Sequence, residues 1–116
     1  MTKPNITQLS EFDITQKIIE SLSNICTRSI LFSIKNQSKD TTQIADELKL
    51  SLSTVYKTLS ILEDLTLAEV DKYVISSEGK KIKVYRSRIG KVEIILEDLK
   101  PTLNLYPNEL NPKSIS

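Results

Sequence analysis

The chain has 116 residues, enough for one domain with a real core but short for two. Its 39% hydrophobic and 27% charged residues are ordinary for a globular protein, and a net charge of +1 excludes nucleic-acid binding by bulk positive charge. One cysteine and no histidine exclude an intrachain disulfide and a zinc, copper or nickel site of the usual kind, so no metal and no cofactor is expected. With no nucleophile–base pair and no Gly-rich phosphate loop, no enzymatic activity is expected either. The N-terminal stretch lacks an apolar segment and no run approaches a membrane span; the expectation is a soluble, cytoplasmic protein with no membrane contact.

Residues 1–11 are polar and contain Pro4, which predicts a flexible N-terminus. Asp13 with Gln16 three residues later suggests a capping box. The helix it opens carries Ile14, Ile18, Leu22 and Ile25 along one stripe, widened by Ile19. The pattern breaks around Thr27 and restarts as a second short helix with Ile30, Leu31 and Ile34 inward and Arg28 and Lys35 outward. Cys26, at the apolar junction and with no cation cluster beside it, is expected as a small buried hydrophobe. Asn36 to Asp40 form a polar loop.

From Thr42 to Leu67 the spacing predicts a helix, a tight turn and a longer helix. Ile44 and Leu48 share one face with Ala45 beside them, and Ser51 is placed to cap the second helix. That helix, 52–65, turns Val55, Leu59 and Leu62 inward and leaves Ser53, Thr54, Tyr56, Lys57 and Ser60 largely on the other side. Helices joined so tightly cross steeply, which is helix-turn-helix geometry, and the hydroxyls, phenol and cation near the second N-terminus suit a major groove. Ser53, Thr54, Tyr56 and Lys57 are therefore the candidate base contacts.

After Leu67 the period changes. Residues 68–75 and the cleaner alternation of 82–89 predict two strands, joined through SSEGKK, where Gly79 can take a positive φ. This hairpin makes a wing over residues 70–89. From Asp71 to Lys91 there are seven cations against two carboxylates, a local excess in a nearly neutral chain. Edge protection explains one or two lysines, not this concentration. Lys72, Lys80, Lys81, Lys83 and Arg86, with Ser51, are the candidate phosphate contacts. Residues 90–100 carry Val92, Ile95, Leu96 and Leu99 at helical spacing and predict a last helix ended by Pro101. Residues 101–116 read as an extended tail, ordered only where Leu103, Leu105 or Tyr106 finds a groove. The predicted organisation is a flexible 1–11, a domain 12–100 and this tail. Apolar residues Ile14, Ile18 and Leu22 of the first helix, with Ile95 and Leu99 of the last, exceed what a small monomeric core needs and are the candidate dimer interface.

The fold class expected from this order is mainly α with a small β wing (α+β), a winged helix-turn-helix with extra N- and C-terminal helices. The segment ADELKLSLSTVYKTLSILEDLTLAEVDKY resembles the core of the ArsR/MarR-type winged helix-turn-helix regulators, closest to the ArsR-like group. The resemblance is carried by Ile44, Ala45, Leu48, Leu50, Ser51, Ser53, Thr54, Val55, Leu59 and Leu62, with Lys57 where a basic residue is usual. It implies a homodimeric transcription regulator whose partner is double-stranded DNA and whose terminal helices pair. The chain departs from the family in three ways. Lys49 and Thr66 stand where glycine is common, which puts them in uncomfortable backbone conformations. Asp40 and Thr42 replace the Cys-x-Cys metal sensor, and the last segment has no histidine. Metal sensing is not expected, and the effector ligand is unknown. A reading of another class stays open: a winged-helix protein-interaction module of the transcription machinery that does not read bases, consistent with Glu63 and Asp64 at the end of the second helix.

Overall fold

The computed structural model describes residues 7–9 and 12–109. Their order is β1 (Thr7–Leu9), α1 (Phe12–Ser23), α2 (Ile25–Ser33), α3 (Thr41–Leu48), α4 (Leu52–Asp64), β2 (Ala68–Ile75), β3 (Lys81–Ser87), β4 (Ile89–Ile95) and β5 (Thr102–Pro107). Two antiparallel sheets result: the β2–β3 hairpin, and a three-stranded sheet in the order β1-β5-β4.

The α1–α2 break falls at Asn24, three residues before the expected Thr27. Its side-chain oxygen accepts the amides of Cys26 (2.8 Å) and Thr27 (3.2 Å), capping α2 where α1 ends. Asp13 sits inside the first turn of α1 rather than at its cap. Cys26 is half-buried and packs against the core. Helix α2 and its C-cap place Ile30, Leu31 and Ile34 fully inside the core. The helix meets α1, α3, α4 and β3. Ile44, Val55, Leu59, Leu62 and Leu67 complete the helix-turn-helix side of the core.

The winged helix-turn-helix stands; the C-terminal helix does not. Residues 89–95 form strand β4, and the spacing of Val92, Ile95, Leu96 and Leu99 does not describe their environment. The same stretch also alternates, and alternation wins because residues 102–107 supply a partner: Val92 pairs with Leu105 and Ile94 with Leu103. Those four face the helices, while Lys91, Glu93, Asn104 and Tyr106 form a polar outer face. There Glu93 accepts from the Tyr106 hydroxyl (2.7 Å) and from Asn104, which lowers its pKa and raises that of Tyr106. Gly90 sits at a register shift where an added Cβ would lie 3.1 Å from the Pro107 carbonyl oxygen.

Residues 101–109 of the expected tail are likewise structural, and 110–116 lie outside the described residues. Strand β5 is the central strand of its sheet, and Leu103 and Leu105 belong to the core. Asn108 then fastens the chain: its side-chain amide donates to the carbonyls of Lys35 (2.8 Å) and Ser87 (2.9 Å). Of the N-terminal stretch expected to be flexible, Thr7–Leu9 is paired to β5; residues 1–6, 10 and 11 lie outside the described residues. Leu103→Ala is expected to cost about 2–5 kcal/mol in urea unfolding, the range for a truncated core leucine. A residue in a loose tail would cost less than about 0.5 kcal/mol.

Candidate nucleic-acid interface

Helix α3 begins at a full capping box: Asp40 accepts the Gln43 amide (2.9 Å), and the Gln43 side chain accepts the Asp40 amide (2.9 Å). It ends on Lys49 in the left-handed region, φ 59°, with the Leu50 amide reaching back to the Ala45 carbonyl (3.0 Å). Two residues on, the Ser51 hydroxyl accepts the Thr54 amide (3.2 Å) and donates to Thr54 Oγ1 (2.9 Å). The turn is thus a left-handed C-cap followed directly by an N-cap, which fixes how α4 leaves α3.

Val55, Thr58, Leu59 and Leu62 are buried, so the opposite face of α4 is outward. Ser53, Tyr56 and Lys57 are exposed on it, whereas Thr54 is half-buried with its hydroxyl engaged by Ser51. Of the four expected base-contact side chains, Tyr56 and Lys57 therefore project freely, while the hydroxyls of Ser53 (3.2 Å) and Thr54 (2.9 Å) both meet the Ser51 hydroxyl at the cap. The helix ends in a Schellman arrangement: the Leu67 amide donates to the Leu62 carbonyl (2.8 Å) and the Thr66 amide to the Glu63 carbonyl (2.9 Å), with Thr66 at φ 59°. Both positions singled out as glycine substitutes are left-handed, as expected.

The wing carries its cations on two faces. Lys81, Lys83 and Tyr85 alternate on the face of β3 toward α4, and Lys80 precedes them at the turn, where Gly79 has φ 81°. Across from them lie Tyr56, Ser60 and Glu63 of α4 and Thr41 of α3; together they line an open groove of about 470 Å³. The Lys81 ammonium also rests over the Tyr73 ring, 4.5 Å from its centroid. Lys72, paired with Val84, and Arg86, paired with Glu69, belong to the other face of the hairpin. Arg86 is drawn to Glu69 (3.6 Å) and to the Asn108 carbonyl (3.5 Å), Arg88 to Glu69 (3.8 Å), and Lys91 to Glu93 (3.6 Å). Among the described residues, no carboxylate lies within ion-pair distance of Lys80, Lys81 or Lys83. Of the expected phosphate contacts, those three are gathered at one groove with α4; Lys72 and Arg86 are not, and Ser51 is a helix cap.

The groove also holds Thr41 and Tyr85, which sequence reasoning passed over, and Glu63, which it took only as a sign of a protein-interaction module. Tyr85 could have been found as the next position on the Lys81–Lys83 face of the strand. Its burial, then the nearby Glu63 carboxylate, push the phenol pKa up, so it stays a neutral hydrogen-bond donor. The wing root is tied to the helices by Ser38, whose hydroxyl donates to Asp71 (2.8 Å) at the β2 bulge, and by mutual backbone bonds between Lys39 and Tyr85 (2.8 and 3.0 Å). The expected dimer residues separate. Ile18 and Leu22 are buried within the protomer, while Ile14, Ile95 and Leu99 are exposed, the last two on and beyond β4 rather than on a helix. Among the described residues no cluster of three potential metal ligands occurs, and no helix is long and apolar enough to cross a membrane.

Thr66→Gly is expected to raise stability by about 1 kcal/mol in chemical denaturation, because a β-branched side chain is the least comfortable one at a left-handed C′ position.

Two comparisons bear on this arrangement. Residues 28–70, which run from α2 through the helix-turn-helix into the wing, match the family described as bacterial regulatory protein, arsR family. Over 93 residues the chain is 37% identical to an uncharacterised HTH-type transcriptional regulator of Methanocaldococcus jannaschii, covering 80% of this chain and 93% of that one. With the capped turn, the exposed face of α4 and the basic wing, these matches place the chain in the ArsR-like family of helix-turn-helix transcription regulators.

Proposed function

We propose that this protein is a cytoplasmic, homodimeric DNA-binding regulator that lays α4 in the major groove and rests its wing on the phosphate backbone. One observation carries the reading. Of the seven wing-region cations, four make no ion pair among the described residues, and three of these, Lys80, Lys81 and Lys83, face the exposed side of α4 across a single groove. A duplex offers both things this surface fits: base edges for short polar side chains and a phosphate rail for lysines. Ser53, Tyr56 and Lys57 read bases, with Thr54 contributing from the cap, while Lys80, Lys81 and Lys83 bind phosphate. Lys72 and Arg86 join them only if the duplex reaches around the wing.

Two-fold symmetry supplies the second half-site. The apolar residues open to a partner copy are Ile14 on α1 with Ile95, Leu96 and Leu99 on the β4–β5 hairpin, the last two 72% and 92% exposed. Ile18 and Leu22 act behind it by fixing α1. A protein-interaction role is favoured by one feature, the Glu63 carboxylate in the groove, which repels phosphate.

Light scattering at micromolar concentration is expected to give twice the chain mass; a monomer there removes the dimer. Lys57→Ala should cost about 1–3 kcal/mol on a selected duplex and relax preference at one position. Lys80→Ala/Lys81→Ala should weaken all duplexes alike and reduce the slope of log K against log salt by roughly 3–4 for a dimer. Equal slopes for variant and wild type would remove the wing from the phosphates. Feeble duplex binding by the wild type, together with a protein complex lost in the same variant, would establish the interaction module instead.

A further inference from the structure

Helix α4 carries an oddity on its reading face. Leu52, its first residue, is 46% exposed, and Tyr56, one turn later, is 58% exposed. At i and i+4 they form a small apolar stripe among polar neighbours: Ser51 before it, Ser53 and Lys57 beside it and Ser60 beyond it. The core cluster includes neither of them. Leu52 does not serve the cap, which Ser51 makes with Thr54. Nearly half of its surface stays in contact with water.

The surroundings define the partner chemistry. Lys57 follows Tyr56 on the exposed side of the helix, and Lys80, Lys81 and Lys83 stand across the groove that Tyr56 lines. The surface therefore fits a polyanion that presents small apolar groups between its charges. In the major groove of duplex DNA the 5-methyl group of thymine is such a group. We infer that Leu52, with the Tyr56 ring, is a specificity-determining contact for thymine methyl groups. This rests on the DNA-binding reading above and deepens it. Side chains one turn apart have Cβ atoms about 5–6 Å from each other, and base pairs rise 3.4 Å, so the two contacts fall within one or two base steps. Each half-site then holds a thymine opposite Leu52, with a second methyl within two steps of it, on either strand.

The test uses the full-length wild-type protein and a duplex selected by it from a random pool. Each thymine is replaced singly by 2′-deoxyuridine, which removes the methyl group and leaves every hydrogen-bonding atom. Burial of one methyl corresponds to about a three- to fivefold change in affinity. At one or two positions per half-site the wild type should weaken by that factor. For Leu52→Ala the penalty at the Leu52 position should vanish, whereas Tyr56→Phe, which keeps the ring, should retain the penalty at its own. Leu52 is exposed and alanine is the better helix former, so the variant keeps the fold, which circular dichroism checks. Leu52→Gln, offered the same pool, should select duplexes in which deoxyuridine at that position carries no penalty, because an amide reads hydrogen-bonding edges and not the methyl group. Duplexes bound tightly but insensitive to every methyl, or an equal penalty in wild type and Leu52→Ala, would overturn the inference and leave DNA binding standing. No duplex enriched at all would overturn the DNA-binding reading itself, and the inference with it.

Discussion

The burial of α2 is the constraint on which the rest depends. Ile30, Leu31 and Ile34 are wholly inaccessible, each contributing on the order of 1.5–3 kcal/mol through removal from water. They can be covered on all sides only if α1 lies against one flank and the α3–α4 pair against another. The C-terminal end of the same helix is where the chain's distant parts are tied. The Ile34 carbonyl accepts the Ser87 amide (3.0 Å), and the Lys35 carbonyl accepts the Asn108 side chain (2.8 Å). The end of the wing and the end of β5 are therefore both referenced to α2.

That reference frame is what makes a groove possible. Neither a recognition helix nor a two-stranded hairpin holds its own orientation, since an isolated hairpin is marginal in water. Here α4 is oriented by the back-to-back caps at Lys49 and Ser51, and the wing by the Ser38–Asp71 bond and the Lys39–Tyr85 bridge. Lysines 80, 81 and 83 are consequently held opposite Tyr56, Ser60 and Glu63 by connections outside the groove itself. The left-handed Lys49 and Thr66 carry the strain of these turns in residues that lack glycine's freedom, and their surroundings keep them there.

What the sequence disclosed divides along the same lines. The helix-turn-helix was legible because its signals are local: Ser51 as a cap, the Val55–Leu59–Leu62 stripe and, in the wing, Gly79 at a turn; Asp40, read as loop, turns out to cap α3. The seven-cation excess was visible, but its division was not. Whether Arg86 faces DNA or Glu69 depends on strand register, which composition does not carry. Residues 90–107 misled for a related reason. A short apolar run satisfies helical and strand periods at once, and the partner that decides, Leu103 and Leu105 of β5, sits in a Pro-flanked stretch that looks like tail. Ile18 and Leu22 were likewise counted as surplus because the sheet that makes room for them in the core was not foreseen. Exposed Leu52 was invisible to a periodicity argument, which reports inward residues and says little about outward ones.

The claim at the centre of this account is that one face, α4 with the lysine side of the wing, meets the duplex. Backbone amide NMR of the full chain, titrated with a selected duplex, reads every exposed surface at once. The account predicts that the largest shift changes cluster at residues 52–60 and 80–83, while the β4–β5 hairpin at 92–99 stays largely unmoved. Perturbations centred on that hairpin, with α4 and the wing tip unchanged, would contradict it.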